Sequence, residues 1–291
     1  MFFPYPTEEI LYKRIHCLKH GIEIRLCPNV EGKFTRADSK IWDIQTNTSG
    51  ERIVSTSNKE GIPTKVWLLG DSMAMGYGLE SKKTIAYQLE HKFNILVRVI
   101  AVDAIGTNGI SSFFNESYLE TKKENLPTHI YWIWNPSDFI DDEREKKGIS
   151  KFLYPIHFYL SRISILYYKL LPSSQTNVYS NEIPYHYPIT HKTYLNLKEF
   201  LKQIPRNKEH WKILFSWGMA KNGTPDTMDS NYETAKQFFE SQNLGTIDLR
   251  LRTEKLFGQN KKIYIPDDGH PDEDLAEIFA EAIAADYKKY K

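Results

Sequence analysis

An α/β fold with a mainly parallel sheet is predicted by three features of this 291-residue sequence. The first is a set of short, continuous apolar runs, which are typical of parallel strands buried on both faces. The second is the amphipathic segments between these runs, because strands that alternate with helices favour parallel crossovers. The third is the polar residues and glycines that follow the runs, where loops leave the carboxyl ends of strands.

The alternation of runs begins near residue 65 and continues to the end of the chain. Five runs are predicted as strands: Val66–Leu69, Ile95–Val102, Ile130–Trp134, Ile213–Trp217 and Thr246–Leu249. Helical periodicity predicts helices over residues 84–92, Ser111–Lys123 and Asp274–Tyr287. We therefore predict a three-layer α/β/α sandwich with a mainly parallel, flavodoxin-like five-stranded sheet.

Two further segments flank or interrupt this pattern. Residues 1–60 carry turn residues around short β-like runs such as Ile22–Leu26, and they are interpreted as an N-terminal extension packed on the main domain. Residues 61–291 form that domain, with an inserted helical segment at about 140–210 that includes the apolar run Phe152–Leu171. Its charges form no clean basic face, which favours packing as a lid, but membrane contact of residues 149–171 stays open.

Composition excludes some classes of function. Hydrophobic residues make up 41% and charged residues 26%, as in ordinary globular proteins. There are 38 basic and 37 acidic residues without long basic clusters, so a nucleic-acid partner is not expected. No membrane span and no signal peptide are visible, which predicts a cytoplasmic protein as written; cell-envelope association is compatible with a removed leader or anchor. Oligomeric state is left undetermined.

No metal or cofactor site is indicated. Cys17 and Cys27 lack companion ligands, and although one bridge between them is an alternative, two free thiols are expected. Three histidines in the inserted segment have no paired ligands at metal-binding spacing and are interpreted as surface or packing residues: His157, His186 and His191. The loop Gly218–Pro225 has no phosphate-binding pattern and is a substrate-side loop by position alone.

Gly70-Asp71-Ser72 follows the first predicted strand. A glycine permits the sharp turn there, and a hydroxyl at this turn lies near helix-type N–H donors, which suits a nucleophile that attacks a carbonyl. A capped turn, with Ser72 as the cap, explains the tripeptide almost as well.

Asp267-Asp268-Gly269-His270 precedes the last predicted helix. An imidazole can take the proton of a serine, and a carboxylate three residues earlier can lie on the same side of a turn and orient it. The alternative interpretation is a helix start, with Asp268 or Asp272 as the cap and a surface His270.

The two motifs together resemble the SGNH (GDSL-type) hydrolases in order and spacing, over roughly residues 45–290. The stretch Asn47–Arg52 also looks like the lead-in of many bacterial members. The resemblance implies that Ser72 is the nucleophile, that His270 is the base and that Asp267 orients it.

The resemblance also implies an oxyanion hole. Its donors would be the N–H groups of Ser72 and of Gly106, with Gly109 as the alternate, and an Asn side chain after the third strand. The sequence there is Trp134-Asn135-Pro136-Ser137-Asp138, which departs from the family's Gly-x-Asn-Asp pattern. If Asp138 aligns with that motif, Ser137 takes the Asn position, so Asn135 and Ser137 both stay candidates.

Three functions follow as hypotheses. The first is a serine esterase that removes an O-acyl group, with acetyl favoured, from a carbohydrate or a small lipid-like ester. The second is an O-acetyltransferase that uses the same acyl-enzyme. The third is a catalytically impaired relative that binds glycans. The expected partner is a small-molecule or glycan ester, and no cofactor is expected.

Overall fold

The computed structural model describes most of the chain. The described residues are 8–20, 23–36, 38–54, 62–144, 153–164, 167, 187–204, 210–220 and 222–290. Nine strands are described: β1 His16–Lys19, β2 Glu23–Leu26, β3 Glu31–Thr35, β4 Ile41–Gln45, β5 Val66–Gly70, β6 Val97–Ala101, β7 His129–Ile133, β8 His210–Phe215 and β9 Gly245–Asp248.

Helices connect these strands. The α-helices are α1 Glu8–Lys13, α2 Ser72–Met75, α3 Ile85–Phe93, α4 Thr107–Glu120, α5 Ser137–Arg144, α6 Tyr154–Ile163, α7 Lys192–Gln203, α8 Asn231–Ser241, α9 Arg250–Gly258 and α10 Glu273–Tyr287. Short 3₁₀ helices cover Ser81–Lys83, Lys123–Asn125 and Lys288–Tyr290. None of the described helices is both long and apolar enough to cross a membrane.

The central sheet has the order β6-β5-β7-β8-β9, and all four of its strand pairs are parallel. This is the flavodoxin-like order, in which the first strand of the sheet lies between the second and the third. The predicted fold class is therefore confirmed. The carboxyl ends of β5, β6 and β7 meet at one edge, where the order of strands reverses.

Both faces of this sheet are covered, as the continuous apolar runs predict. Tyr131 of β7 donates a hydrogen bond to Asp286 of α10, at 3.2 Å. Its neighbour Trp132 points to the opposite face and packs against Phe200 of α7 and Phe239 of α8. Successive side chains of a strand point to opposite faces, so helices cover the sheet on two sides.

Element boundaries shift by a few residues from the prediction. The largest shift is at α4, which begins at Thr107 rather than Ser111 and therefore includes Gly109. Of the predicted inserted segment, α5, α6, α7 and short flanks are described, while residues 145–152 and most of 165–186 lie outside the described part. The division into an N-terminal extension and a main domain stays a prediction.

The N-terminal region forms two antiparallel hairpins, β1–β2 and β3–β4, rather than irregular chain. The expectation of two free thiols was wrong, because Cys17 and Cys27 form a disulfide. Antiparallel pairing of β1 with β2 brings their Cα atoms to 5.0 Å, a separation that a disulfide requires and that sequence spacing does not reveal.

Candidate active site

Ser72 is the first residue of α2, directly beyond the carboxyl end of β5. Gly70, at the end of β5, has a φ of 152°, and a methyl group there would lie 2.8 Å from the carbonyl oxygen of Ile133. Only glycine fits this turn without displacing a neighbouring strand. Asp71 then caps α2, because its Oδ1 accepts a hydrogen bond from Met73 N at 2.9 Å.

His270 lies against Ser72 although 198 positions separate them in the chain. The distance from His270 Nε2 to Ser72 Oγ is 2.8 Å, within hydrogen-bond reach of a nucleophile and its base. The tight loop that carries His270 precedes α10, and Ile265 N donates to the carbonyl of His270 at 2.8 Å. Ser72 is 8% exposed and the side chain of His270 is 22% exposed, so the histidine is only partly shielded from bulk water.

The carboxylate that contacts His270 is Asp268, not Asp267. Asp268 Oδ1 contacts His270 Nδ1 and also accepts from His270 N at 3.3 Å. Asp267 is exposed and has a φ of 59°. The prediction that Asp267 orients His270 placed residues three apart on the same side of a turn or first helical turn, but the segment is a tight loop with left-handed residues at 267 and 269. In this loop the residue two positions before His270 lies beside the imidazole.

The charges around His270 favour its protonated form. Burial acts to lower its pKa, but the hydrogen bond to Asp268 and the charges of Asp268, Asp71 and Asp103 raise the pKa above its ordinary value. Burial likewise opposes ionisation of Asp268, yet the contact with His270 lowers the pKa of Asp268. With Nδ1–H directed at an anionic Asp268, Nε2 is left as the acceptor that faces Ser72 Oγ.

Asn135 lies beside the turn that carries Ser72. Its Nδ2 donates to Asp71 Oδ2 at 2.9 Å, and its Oδ1 accepts from Ser137 N at 2.9 Å and from Ser137 Oγ. An amide nitrogen carries two hydrogens, so the bond to Asp71 leaves one for a ligand. Ser137 directs its hydroxyl at Asn135 Oδ1 and so orients Asn135. The geometry therefore favours Asn135 over Ser137 as an oxyanion donor.

Gly106 and Gly109 occupy different positions in α4. Gly106 is the N-cap of the helix, and a methyl group on it would lie 2.4 Å from the carbonyl oxygen of Asp138. Gly106 therefore packs directly against the start of α5, two residues beyond Asn135. Gly109 is buried within the first turn of α4 against Ile105. Gly106 is thus the glycine that adjoins the Asn135 loop.

Buried carboxyl groups lie behind this loop. Asp138 is completely buried, and neither of its carboxyl oxygens has a hydrogen-bond partner among the described residues. Burial, followed by the charges of Asp71, Asp141 and Asp142, raises the pKa of Asp138 well above its ordinary value. Burial also raises the pKa of Asp71, although Asn135 and Met73 N act in the opposite direction.

Aromatic side chains from the N-terminal region extend to the candidate site. The ring of Tyr77 lies 4.5 Å from the ring of His270, between centroids. Tyr77 also packs against Tyr12 and Trp42, with ring centroids 5.3 and 5.0 Å away. His16 Nε2, in the same region, hydrogen-bonds Asp103 Oδ1 beyond the end of β6, at 2.6 Å. The sequence motifs did not identify these contacts, since nothing in the spacing of Tyr12 or His16 links them to residue 270.

The loop after β8 borders the His270 loop. A methyl group on Gly269 would lie 3.5 Å from Met219 Cβ, in ordinary contact. Tyr264 Oη donates to the carbonyls of Trp217 and Gly218, at 2.8 and 3.0 Å, and so joins the two loops. The predicted substrate-side loop therefore lies next to the candidate base.

The histidines of the inserted segment make structural contacts where they are described. His157 Nδ1 hydrogen-bonds Tyr167 Oη at 3.1 Å, and His191 caps α7 through Thr193 N at 3.3 Å. His186 lies outside the described residues. Within the described part of the chain, no group of three or more His, Cys, Asp or Glu side chains is arranged to hold a metal ion.

Comparisons with known proteins complete the description. No family model and no curated protein matches the chain. Among solved structures, it is similar to a lipolytic protein of the G-D-S-L family from Veillonella parvula, with 15% identity over 77% of this chain and 97% of that one and a TM-score of 0.47. The match to esterase EstA from a Pseudoalteromonas species has 13% identity over 77% and 97% of the chains and a TM-score of 0.46.

A third similar structure is an acetyl xylan esterase, with 11% identity over 76% of this chain and 98% of that one and a TM-score of 0.45. All three TM-scores lie below 0.5, so these likenesses carry no statement about activity.

Proposed function

We propose that this protein is a serine ester hydrolase of the SGNH kind, with Ser72 as its nucleophile. The observation that carries the proposal is the 2.8 Å contact between Ser72 Oγ and His270 Nε2. Asp268 on the far nitrogen of His270 completes a serine, base and carboxylate series, which is recognised by geometry rather than by sequence position.

Each proton in the proposed reaction has a defined place. Ser72 Oγ attacks the ester carbonyl while His270 Nε2 takes the hydroxyl proton, and the C–O bond to the leaving alcohol breaks as His270 returns that proton to the alcohol oxygen. Water then attacks the acyl-enzyme, gives a proton to His270 Nε2 and releases the acid. As the bond between the acyl carbon and Ser72 Oγ breaks, His270 returns the proton to Ser72 Oγ. Asp268 orients the imidazole and stays ionised throughout.

The negative charge that develops on the carbonyl oxygen needs donors in place before reaction. In our proposal they are the N–H of Ser72 and the N–H of Gly106, both at helix starts where amides lack intrahelical partners, together with the second hydrogen of Asn135 Nδ2. The bonds from Asn135 to Asp71 and Ser137 support this role, because they fix the amide without using both of its hydrogens.

The substrate proposed is an O-acyl ester, with acetyl favoured, on a carbohydrate or a small lipid-like molecule. The sequence resemblance supports this class, and half-buried Tyr77 places an aromatic side chain next to His270, which suits an apolar acyl group or a sugar ring. p-Nitrophenyl acetate with and without a glycan acceptor separates water from alcohol as the acyl acceptor. Release that depends on the acceptor would turn the proposal to acyl transfer.

A fluorophosphonate probe tests the nucleophile directly, since it phosphonylates an activated serine. We expect stoichiometric labelling of the wild type and no labelling of Ser72→Ala. The control Ser241→Ala, which replaces the exposed serine at the end of α8, should be labelled like the wild type. Absence of labelling in folded wild-type protein would overturn the hydrolase proposal. Labelling that survives in Ser72→Ala would overturn the choice of nucleophile.

The disulfide bears on the compartment in which this reaction takes place. Disulfides persist in oxidising compartments and are rare in the cytosol, so we propose an extracytoplasmic site of action rather than the cytoplasmic one expected from the sequence. Alkylation of Cys17 and Cys27 in intact cells, before and after reduction, tests this. Modification without prior reduction would contradict it.

A further inference from the structure

Arg52 is a completely buried cation in the lead-in stretch Asn47–Arg52. Its Nη1 donates to the carbonyls of Met75 and Gly76 at 3.0 and 2.5 Å. Its Nη2 donates to the carbonyl of Leu79 at 2.6 Å and to the carbonyl of Asp43 in β4. Three of these four acceptors, the carbonyls of Met75, Gly76 and Leu79, lie within residues 72–79, which begin with the candidate nucleophile.

The carbonyls that Arg52 holds belong to the turn that ends α2. Gly76 closes the helix with a φ of 83°. The N–H groups of Gly76 and Tyr77 both donate to the carbonyl of Ser72, at 3.0 and 2.9 Å. This turn therefore binds Ser72 through its amides and binds Arg52 through its carbonyls.

The same turn also places the residue that packs on the base. Tyr77 follows Gly76 directly, and its ring is the one that lies 4.5 Å from the ring of His270. A displacement of the turn would consequently move the nucleophile and the neighbour of its base together.

The chemistry of Arg52 suits this position and that of lysine does not. A guanidinium presents five N–H groups in a rigid, planar arrangement, whereas an ammonium offers three from one atom. Burial lowers the pKa of Arg52 to about 10, so the group stays charged at neutral pH. The carboxylate of Asp43 is bonded to Ser81 N at 2.9 Å and to Ser81 Oγ, and it is the backbone oxygen of Asp43 that Arg52 binds.

We propose that Arg52 is a positioning residue for the reaction, which holds Ser72 and Tyr77 in register with His270 from the N-terminal region. According to this proposal, the N-terminal region packs against the sheet and also positions the residues that react. The inference rests on the proposed hydrolase function, because it concerns the geometry of that nucleophile.

The test compares Arg52→Lys and Arg52→Gln with wild type. The rate constant for fluorophosphonate labelling, and kcat and KM for p-nitrophenyl acetate, are measured at a temperature where circular dichroism shows each variant folded. We expect labelling and kcat to fall about 10²-fold, since small misplacement of reacting groups has effects of that size. We expect KM to change less than about threefold and Arg52→Lys to recover only part of the rate.

Arg25→Lys is the matched control. Arg25 is also a buried arginine of the N-terminal region, but its partners include Ile24 O and Glu23 in its own strand and Glu116 and Phe113 in α4, and none of these four lies in the α2 turn. We expect Arg25→Lys to lower the melting temperature and to label at the wild-type rate.

The outcomes separate the two proposals. A wild type that is not labelled removes the hydrolase proposal itself. A labelled wild type with folded Arg52 variants that react equally fast overturns the positioning role alone. If both Arg52 variants fail to fold even at 10–15 °C, roughly, Arg52 is a stability residue and the positioning role is likewise overturned.

Discussion

Asp267 and Asp268 are adjacent and chemically identical, yet their surroundings differ. Both residues are exposed, but Asp267 has a left-handed backbone, whereas Asp268 Oδ1 contacts His270 Nδ1. A carboxylate on Nδ1 fixes the tautomer in which Nε2 can accept the proton of Ser72. At the scale of single residues, this choice of neighbour makes Asp268 the aspartate proposed to orient His270.

Replacement of each aspartate by asparagine measures this difference. We expect Asp268→Asn to lower kcat on the order of 10³–10⁴-fold, because an amide can hold the wrong tautomer, and Asp267→Asn to stay within about threefold of wild type. Ester hydrolysis under saturating substrate is the measurement. The reverse ranking would return the role to Asp267.

The pH profile of the wild type carries the same information. The pKa of His270 is raised, so the base is protonated and inactive until the pH exceeds its ordinary value of about 6.5. We expect kcat/KM to rise with pH through an apparent pKa above that value. In Asp268→Asn the anion that raises the pKa is gone, so the residual activity should rise at lower pH. If the rise in activity with pH occurs at the same pH in wild type and in Asp268→Asn, the contact with Asp268 is contradicted.

Asp138 predicts a stability that falls with pH. Its pKa is raised in the folded state, so the folded protein keeps a proton that the unfolded chain releases above about 3.9. The contribution of Asp138 to the free energy of unfolding is then fully present below that pH. It declines as the pH rises towards the pKa of the folded state, by about 1.4 kcal/mol per pH unit at most. Asp138→Asn cannot lose a proton and should remove this decline.

Thermal unfolding from pH 4 to pH 8, roughly, measures it, with about 2–4 °C expected per kcal/mol. The advantage of Asp138→Asn over wild type should grow as pH rises. Glu120→Gln, at an exposed position at the end of α4, is the control and should show no such growth. Parallel curves for wild type and Asp138→Asn would show that Asp138 is ionised in the folded protein.

At the scale of elements, the candidate groups lie at the N-termini of three helices, which all begin at the same edge of the central sheet. α2 begins at Ser72 after β5, α4 begins beside Gly106 after β6, and α5 begins beside Asn135 after β7. The start of α4 is itself held by α5, because Asp142 Oδ1 accepts from Asn108 N at 3.0 Å and Asp142 also bonds Thr107 Oγ1. The packing of α4 on α5 thus sets the spacing between the proposed donors.

Gly106→Ala tests that packing. A methyl group there would lie 2.4 Å from the carbonyl oxygen of Asp138 and 2.6 Å from Asp142 N, so α4 and α5 must separate. We expect a loss of about 1–3 kcal/mol in the free energy of unfolding and a 10²-fold or larger loss in labelling rate. Gly258→Ala, where a methyl group meets nothing within 4 Å, should unfold and label as wild type does. Equal behaviour of the two variants would refute the close packing.

The N-terminal hairpins and the α/β sheet share one apolar core at the scale of the whole molecule. Buried Phe34, Trp42 and Ile44 of the hairpins belong to the same cluster as the strands of the central sheet. The disulfide of this region joins two cysteines that are 10 positions apart in the sequence. The residue before Cys17 is His16, which hydrogen-bonds Asp103. Stability of the hairpins is therefore coupled to the edge of the sheet that carries the site.

Removal of the disulfide should weaken the whole fold. A closed loop of this length restricts the unfolded chain by about 2–3 kcal/mol. We expect a Cys17→Ser, Cys27→Ser variant to lose that much in denaturant unfolding, and dithiothreitol to lower the stability of the wild type to the same value. Dithiothreitol should leave the variant unchanged. A wild type insensitive to reduction would show that the bond contributes nothing to the fold.

The sequence alone predicted the layers and the five strands, and the resemblance carried by two motifs proposed Ser72 and His270 as a pair. Apolar periodicity and the residue types at strand ends are local signals, and parallel strands necessarily bring their carboxyl ends to one edge. The tertiary structure alone decided the rest. Whether Asp267 or Asp268 lies beside His270 depends on loop dihedrals, the disulfide depends on hairpin register, and the contacts of Arg52 with Met75, Gly76 and Leu79 span more than 20 residues. None of these contacts has a periodic signature in the sequence, because packing and not local propensity selects them.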